Sequence, residues 1–272
     1  MIRLAVRVAR ADAEIALAEL LELVPAGVEE VDHGDTIEYA LYGAEGELPS
    51  AGELRAAAGD ALVGITTREV ADDWASRWRT FHQPVTIGER LHVRAPWHEA
   101  PGDPHLLDIV IDPAQAFGTG AHHTTRLCLE ALLELEPAGP LVDLGCGSGV
   151  LAIAACRLGW DPVLGLDHEQ ESVAATLDNA AVNGVTLQAC HHDIVLGGPA
   201  PSAATVVANL LRPLLLHVAA EGFGCEEPRV LVASGLLAHE ADEIAAAFAL
   251  RGLHEQSRRH GGEWVSLTLV RS

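Results

Sequence analysis

Two rhythms of apolar and polar positions divide this chain. Ile2 to Val8 alternates as a strand does, and Asp12 to Leu23 carries apolar residues at helical spacing. Gly27 to Val31 and Thr36 to Tyr42 predict two strands around the turn His33-Gly34-Asp35. Ser50 stands where it can cap a short helix reaching Ala58, and Ala61 to Thr67 predicts a closing strand. The order β-α-β-β-α-β over residues 1–67 predicts a small α+β domain of ferredoxin-like type.

From Leu106 onward the rhythm changes to strands alternating with helices. Leu106 to Ile111, Leu141 to Leu144, Pro162 to Leu166, Thr186 to His191, Ala204 to Ala208 and Val230 to Ala233 read as strands. Helical patterns at Thr124 to Leu135, Val150 to Leu158, Glu169 to Asn183, Leu214 to Glu221 and His239 to Leu250 fall between them. Such alternation predicts a mostly parallel sheet covered on both faces. Leu253 to Arg259 and Trp264 to Val270 follow one another across Gly261-Gly262, which predicts a closing antiparallel hairpin. The fold class expected is therefore α/β, a seven-stranded Rossmann-like domain over 106–272 preceded by the small domain. Residues 68–105 read as a linker region. It holds Trp74, Trp78 and Trp97, three of the five tryptophans, which are expected to pack it against its neighbours; the other reading is a protein-docking surface.

Composition narrows the class. Apolar residues make up 49% of the 272, and the balance is that of a folded protein. No apolar stretch approaches the ~20 residues of a membrane span, and the start of the chain does not resemble a secretory signal, so a cytoplasmic protein is expected. The five cysteines, at 128, 146, 156, 190 and 225, have no paired spacing, and neither disulfides nor a metal knuckle is predicted. The formal net charge of −22 disfavours nucleic acid and favours a basic protein or a cationic small molecule; solubility accounts for it equally well. Every basic side chain other than histidine is arginine, and lysine is absent.

The chemistry concentrates after three strands. Leu141-Val142-Asp143-Leu144-Gly145-Cys146-Gly147-Ser148-Gly149 is a buried strand ending in a glycine-rich turn that opens a helix. Such a turn lets backbone approach a ligand and offers free N–H groups. Alone it would suit a dinucleotide or a mere tight turn. Asp143, just before the glycines, can act directly or through water on a cationic ammonium such as the methionine end of S-adenosylmethionine. Asp167 closes the next strand, at the spacing of an acid on a ribose diol, or else caps a helix. Asp193 follows the third strand, where an acid can touch an adenine amino group or shape a turn. Asn209 ends the fourth, where its amide can orient an amine for methylation, or serve as a turn residue before Pro213. A loop with two glycines, Asp112 to Thr125, precedes a helix and reads as a lid. His122-His123 and His191-His192 lack metal-ligand spacing, and no metal is expected.

These residues resemble a known family. The run AFGTGAHHTTRLCLE within Asp112 to Glu130 is similar to the signature loop of bacterial ribosomal-protein methyltransferases acting on the large-subunit stalk-base protein, L-eleven. VDLGCGSGVLAIAA, Asn183-Gly184, VVANLLRPLL and GEWVSL resemble the same family, as does the tryptophan-rich segment at 73–78 with Pro84 and Pro96-Trp97. The resemblance covers about 70 to 272 and departs at His82, Gln83 and His123. It implies S-adenosyl-L-methionine as methyl donor, S-adenosyl-L-homocysteine as product, and lysine ε-amines and an N-terminal α-amine as acceptors. It implies cofactor contacts at Thr125, Gly145, Asp167 and Asn209, with Gly147 and Phe117 lining the pocket. Asn209 is the expected catalytic group. The first domain would recognise a basic ribosomal protein, and the enzyme would be a monomer with no nucleic-acid or membrane contact. Two other readings compete: a small-amine methyltransferase, and a regulatory module or NAD-dependent oxidoreductase without methyl transfer. Asp143 and the closing hairpin argue against the oxidoreductase.

Overall fold

Alternating residues at the start of the chain build a four-stranded antiparallel sheet. The computed structural model describes residues 2–24, 28–43, 48–69, 82–113, 120 and 122–272. The chain divides into two units, Met1–Phe81 and His82–Ser272. In the first, β1 (Ile2–Ala9), β2 (Glu29–Asp32), β3 (Thr36–Gly43) and β4 (Leu62–Glu69) lie in the order β2-β3-β1-β4. Helices α1 (Ala13–Leu23) and α2 (Ala51–Ala58) complete it. Leu4, Val6 and Val8 of β1 join Ile37, Tyr39 and Leu41 of β3 in its core, with Leu20 and Leu54 from the helices. The alternate positions carry a charged network in which Glu38 accepts from Arg3 and Arg7 at 2.8 and 2.7 Å. Ser50 caps α2 in a reciprocal box with Glu53.

The second unit is organised by seven strands in one sheet. They are β8 (Leu141–Leu144), β9 (Val163–Asp167), β10 (Gln188–His191), β11 (Thr205–Asn209), β12 (Val230–Leu237), β13 (Leu253–Gly261) and β14 (Trp264–Arg271). Their order is β10-β9-β8-β11-β12-β14-β13. The first five are parallel, and β14 runs antiparallel to both β12 and β13. β8 is buried at all four positions, so its sequence is a continuous apolar run broken only by Asp143. Helices α3 (His123–Glu134), α4 (Val150–Leu158), α5 (Gln170–Val182), α6 (Arg212–Glu221) and α7 (Ala241–Ala249) alternate with the strands. Pro213 sits in the first turn of α6, where its missing N–H costs nothing.

One part of the sequence reading needs correcting. Within the stretch taken as a linker, β5 (Val85–Ile87) and β6 (Leu91–Arg94) pair antiparallel. β7 (Leu107–Val110), expected to begin the alternating α/β series, pairs parallel with β6 in this separate three-stranded sheet. The reason is burial: Val85, Ile87, Leu91 and Val93 occupy every second position and enter the same core as α3 and α4. Arg94 and Asp108 clamp β6 to β7 through a forked ion pair at 2.8–3.1 Å. Asn183 brackets the backbone of Val110, accepting its N–H at 2.8 Å and donating to its carbonyl at 2.7 Å. Trp97 lies with its ring 6.3 Å from that of His82 and 6.0 Å from that of His98. Trp74 and Trp78 lie outside the described residues.

Phe248 of α7 is fully buried in the core that also holds Ile244, Leu253 and Leu267. Phe248→Ala is expected to cost about 3–5 kcal/mol of unfolding free energy, read from urea denaturation. A cost below about 1 kcal/mol would show that this layer does not depend on the ring.

Candidate active site

The carboxyl ends of β10, β9, β8 and β11 line up along one edge of the sheet. The chain's winding reverses between β8 and β11, so a crevice opens there. After β8 the backbone turns through Gly145, Gly147 and Gly149 at φ of 75°, 51° and 81°. A side chain at these angles would be strained. A Cβ on Gly145 would also come within 2.5 Å of Leu210, and one on Gly149 within 2.9 Å of Thr176. The turn is fastened to β9: the N–H groups of Gly145 and Cys146 donate to the Leu166 carbonyl at 2.8 and 3.0 Å. Gly147 N–H donates to Asp167 at 2.9 Å. From α5, Thr176 donates to the Gly147 carbonyl and Asn179 to that of Ser148.

Asp167 is 7% exposed. Its second oxygen accepts from the Glu169 N–H at 3.0 Å, and Glu169 rather than Asp167 is the cap residue of α5. The His168 ring lies 3.3 Å from that second oxygen, and beside these partners the carboxylate keeps lone-pair sites for a ligand. Asp193 stands two residues beyond His191, which pairs with Asp167 across β10 and β9. One of its oxygens accepts from Val195 and Leu196 N–H, closing a turn, and those bonds hold the carboxyl below its ordinary range.

Asn209 ends β11 beside Ser234 of β12. Its amide nitrogen lies 3.5 Å from the hydroxyl of Thr125, a buried residue in the first turn of α3. The structure thus brings together two side chains 84 positions apart in sequence. Leu210 N–H donates to the Ser234 carbonyl at 3.0 Å. That approach is possible because Gly235 (φ 86°) sits where β12 bulges; a Cβ there would lie 2.3 Å from the Leu210 carbonyl oxygen. The sequence reading missed Gly235, although an isolated glycine inside an apolar strand signals a bulge. Phe117 lies outside the described residues.

Asp143 is deeper than expected. It is fully buried, one oxygen accepting from the Ala152 N–H of α4 at 3.1 Å. The other oxygen has no hydrogen-bond partner among the described residues. Burial raises its pKa to about 7; the Ala152 bond opposes the shift and the charge of Asp167 adds to it. An orphaned acceptor of this kind suits a cationic group brought above it.

These features fit a cofactor that joins a nucleoside to a charged amino acid: a turn with three glycines, a carboxylate with spare acceptors, an unpaired buried oxygen and a neutral Thr–Asn pair. Fold and site together define an S-adenosylmethionine-dependent methyltransferase. The sequence pattern of the ribosomal protein L11 methyltransferase family matches residues 25–272, and the chain belongs to that family. A ribosomal protein L11 methyltransferase of Burkholderia lata is 36% identical over 300 aligned residues, covering 98% of this chain and 97% of that one. One from Pseudomonas aeruginosa is 39% identical over 206, covering 74% and 68%. The crystal structure of a ribosomal protein L11 methylase from Lactobacillus delbrueckii subsp. bulgaricus is similar over 70% of this chain and all of its own. Its TM-score is 0.61 and its identity 27%.

The burial of Asp143 has a measurable sign. Its folded pKa, about 7, exceeds its ordinary 3.8, so the neutral acid is favoured in the folded protein. The stability this contributes is full below about pH 4 and is lost as pH rises through about 7. In cofactor-free protein, Asp143→Asn is expected to remove that loss, and thermal melts of both proteins across this range read it. Parallel pH profiles would show that Asp143 ionises normally.

Proposed function

We propose that this protein transfers methyl groups from S-adenosylmethionine to lysine ε-amines, an N-terminal α-amine, or both, on ribosomal protein L11. The observation that carries the reading is the uncharged Asn209 amide at the reversal point of the sheet, held beside Thr125. When bound, S-adenosylmethionine would supply an electrophilic sulfonium methyl: the neutral amine nitrogen bonds to its carbon, the S–C electron pair stays on the sulfur of the departing S-adenosylhomocysteine, and the methylated ammonium returns a proton to solvent. Asp167 accepts from the ribose hydroxyls and Asp193 from the adenine amino group. Asp143 faces the ammonium. Gly145 and Gly147 leave their own positions in the turn bare of side chain, and Thr125 lines the pocket.

Asn209 accepts a hydrogen bond from the incoming amine and aims its lone pair at the methyl group. A lysine has a pKa near 10.4 in water, so the reactive form is the minor one. A neutral amide orients that form without stabilising the ammonium, as a carboxylate would. Alignment, rather than a strong base, supplies the rate.

The first unit serves recognition. Its strand order, 2-3-1-4, is that of a ferredoxin-like sandwich, and its boundary at Phe81/His82 falls inside the 68–105 stretch. The net charge of −22 favours encounter with a basic protein. Among the described residues no helix is long and apolar enough to cross a membrane.

Labelled S-adenosylmethionine and purified ribosomal protein L11 test the assignment. Label on amines of that protein is expected; binding of S-adenosylhomocysteine without label transfer would overturn the substrate. Asp167→Ala is expected to weaken S-adenosylhomocysteine binding at least about tenfold, since hydrogen bonds to charged groups are worth about 1.5–3 kcal/mol.

Asn209 has its own test. Asn209→Ala is expected to lower single-turnover methylation more than cofactor affinity. Asn209→Asp is expected to be slow near pH 7 and to recover partly as pH rises. Wild-type rates in both variants would reduce Asn209 to a turn residue.

A further inference from the structure

The side chain that opens α3 is unusual for its place. Helix starts are most often capped by Ser, Thr, Asp or Asn. Here the cap is His122, with extended backbone at φ −67° and ψ 143°, and its Nδ1 accepts from the Thr124 N–H at 3.3 Å. The Thr124 hydroxyl lies 2.8 Å from the same nitrogen. The imidazole also meets Trp264 of β14 edge-on, with ring centroids 5.0 Å apart and planes at 70°. Ser234 of β12 donates to the Thr124 carbonyl at 3.3 Å, so two strands converge on this first turn. The next residue, Thr125, reaches Asn209.

We propose that His122 is a positioning residue: its neutral imidazole caps α3 and so holds Thr125 beside Asn209, and its protonation releases that cap. The inference rests on the reading of Thr125 and Asn209 as part of the cofactor site. Only an unprotonated Nδ1 has the lone pair the cap requires. A proton there would set N–H against the Thr124 N–H and place a cation at the positive end of the helix dipole. Burial, with the neighbouring His123 adding, keeps the ring's pKa below its ordinary 6.5 and so keeps it neutral near pH 7. Among the described residues, His123 is the titratable neighbour acting on the ring, Arg126 donates its backbone N–H to the His122 carbonyl, and the exposed Glu263 precedes Trp264 in sequence. Trp264 of β14, which meets the ring, and Ser234 of β12, which reaches the Thr124 carbonyl, are uncharged.

The test is titration of the full chain with S-adenosylhomocysteine at about pH 8 and about pH 5, the lower value set well beneath an ordinary imidazole pKa because burial lowers that of His122. Wild type, His122→Ala and His122→Asn are compared. Asparagine keeps an acceptor that does not titrate in this range. At the higher pH, His122→Asn is expected to bind within about twofold of wild type and His122→Ala about fivefold more weakly. At the lower pH wild type is expected to weaken relative to His122→Asn. Asp143 titrates in the same interval but is common to all three proteins, so the ratio of their dissociation constants isolates His122. Equal binding of wild type and His122→Ala at both pH values would overturn the proposal. So would an acid-side loss in His122→Asn as large as that of wild type. If His122→Ala does not fold, the comparison with His122→Asn decides alone. If wild type itself fails to bind, the cofactor-site reading falls and the proposal with it; binding that is insensitive to residue 122 defeats the proposal alone.

Discussion

The turn that follows β8 needs glycine at three of its five positions, and the arrangement of the site follows from it. Three left-handed glycines in five residues fold the chain tightly enough for its N–H groups to reach β9. Gly147 then holds the Asp167 carboxylate, while Gly145 leaves room for Leu210 and hence for the end of β11. The helix that starts here, α4, satisfies one Asp143 oxygen through Ala152. One local conformation thus fixes three acidic or amide groups contributed by three different strands. Thr176 and Asn179 of α5 brace the same turn from the other side, and Asn183, just beyond the helix, holds the last residue of β7.

Much of this was legible before any coordinates. The glycine spacing, Asp167 at a strand end and Asn209 at another are local signals, because strand ends and turns are written in neighbouring residues. The β5 and β6 strands were less visible. Their period of two runs for only three and four residues, among prolines and aromatics that read as a connector. Gly235 was missed because its reason is the backbone of Leu210, 25 positions earlier in the chain. His122 was weighed only as a metal ligand, since its capping role depends on where α3 begins. The depth of Asp143 was also invisible: sequence places it on a buried strand but does not say that one oxygen is left without a partner.

Burying a carboxylate in an otherwise apolar strand is costly, and a well-packed apolar residue would cost less. The cost falls on the cofactor-free protein, where the charged form lies in low dielectric with one backbone donor. A cationic ligand above it would supply the missing partner. The site is therefore less than ideally stable without its ligand, a compromise common where binding needs unsatisfied groups in place beforehand.

The strand latest in chain order, β14, does not lie at an edge but between β12 and β13. During synthesis the flank of β12 stays open until residues 264–271 have left the ribosome. A sheet finished from the inside by its last-made strand cannot be completed piecemeal, and its long-range pairings form late. The interval in which β12 is exposed is one of aggregation risk. It ends when β14 takes its place, and with it Trp264 comes against His122. The strand that closes the sheet is thereby also the one that sets an aromatic ring against the residue capping α3.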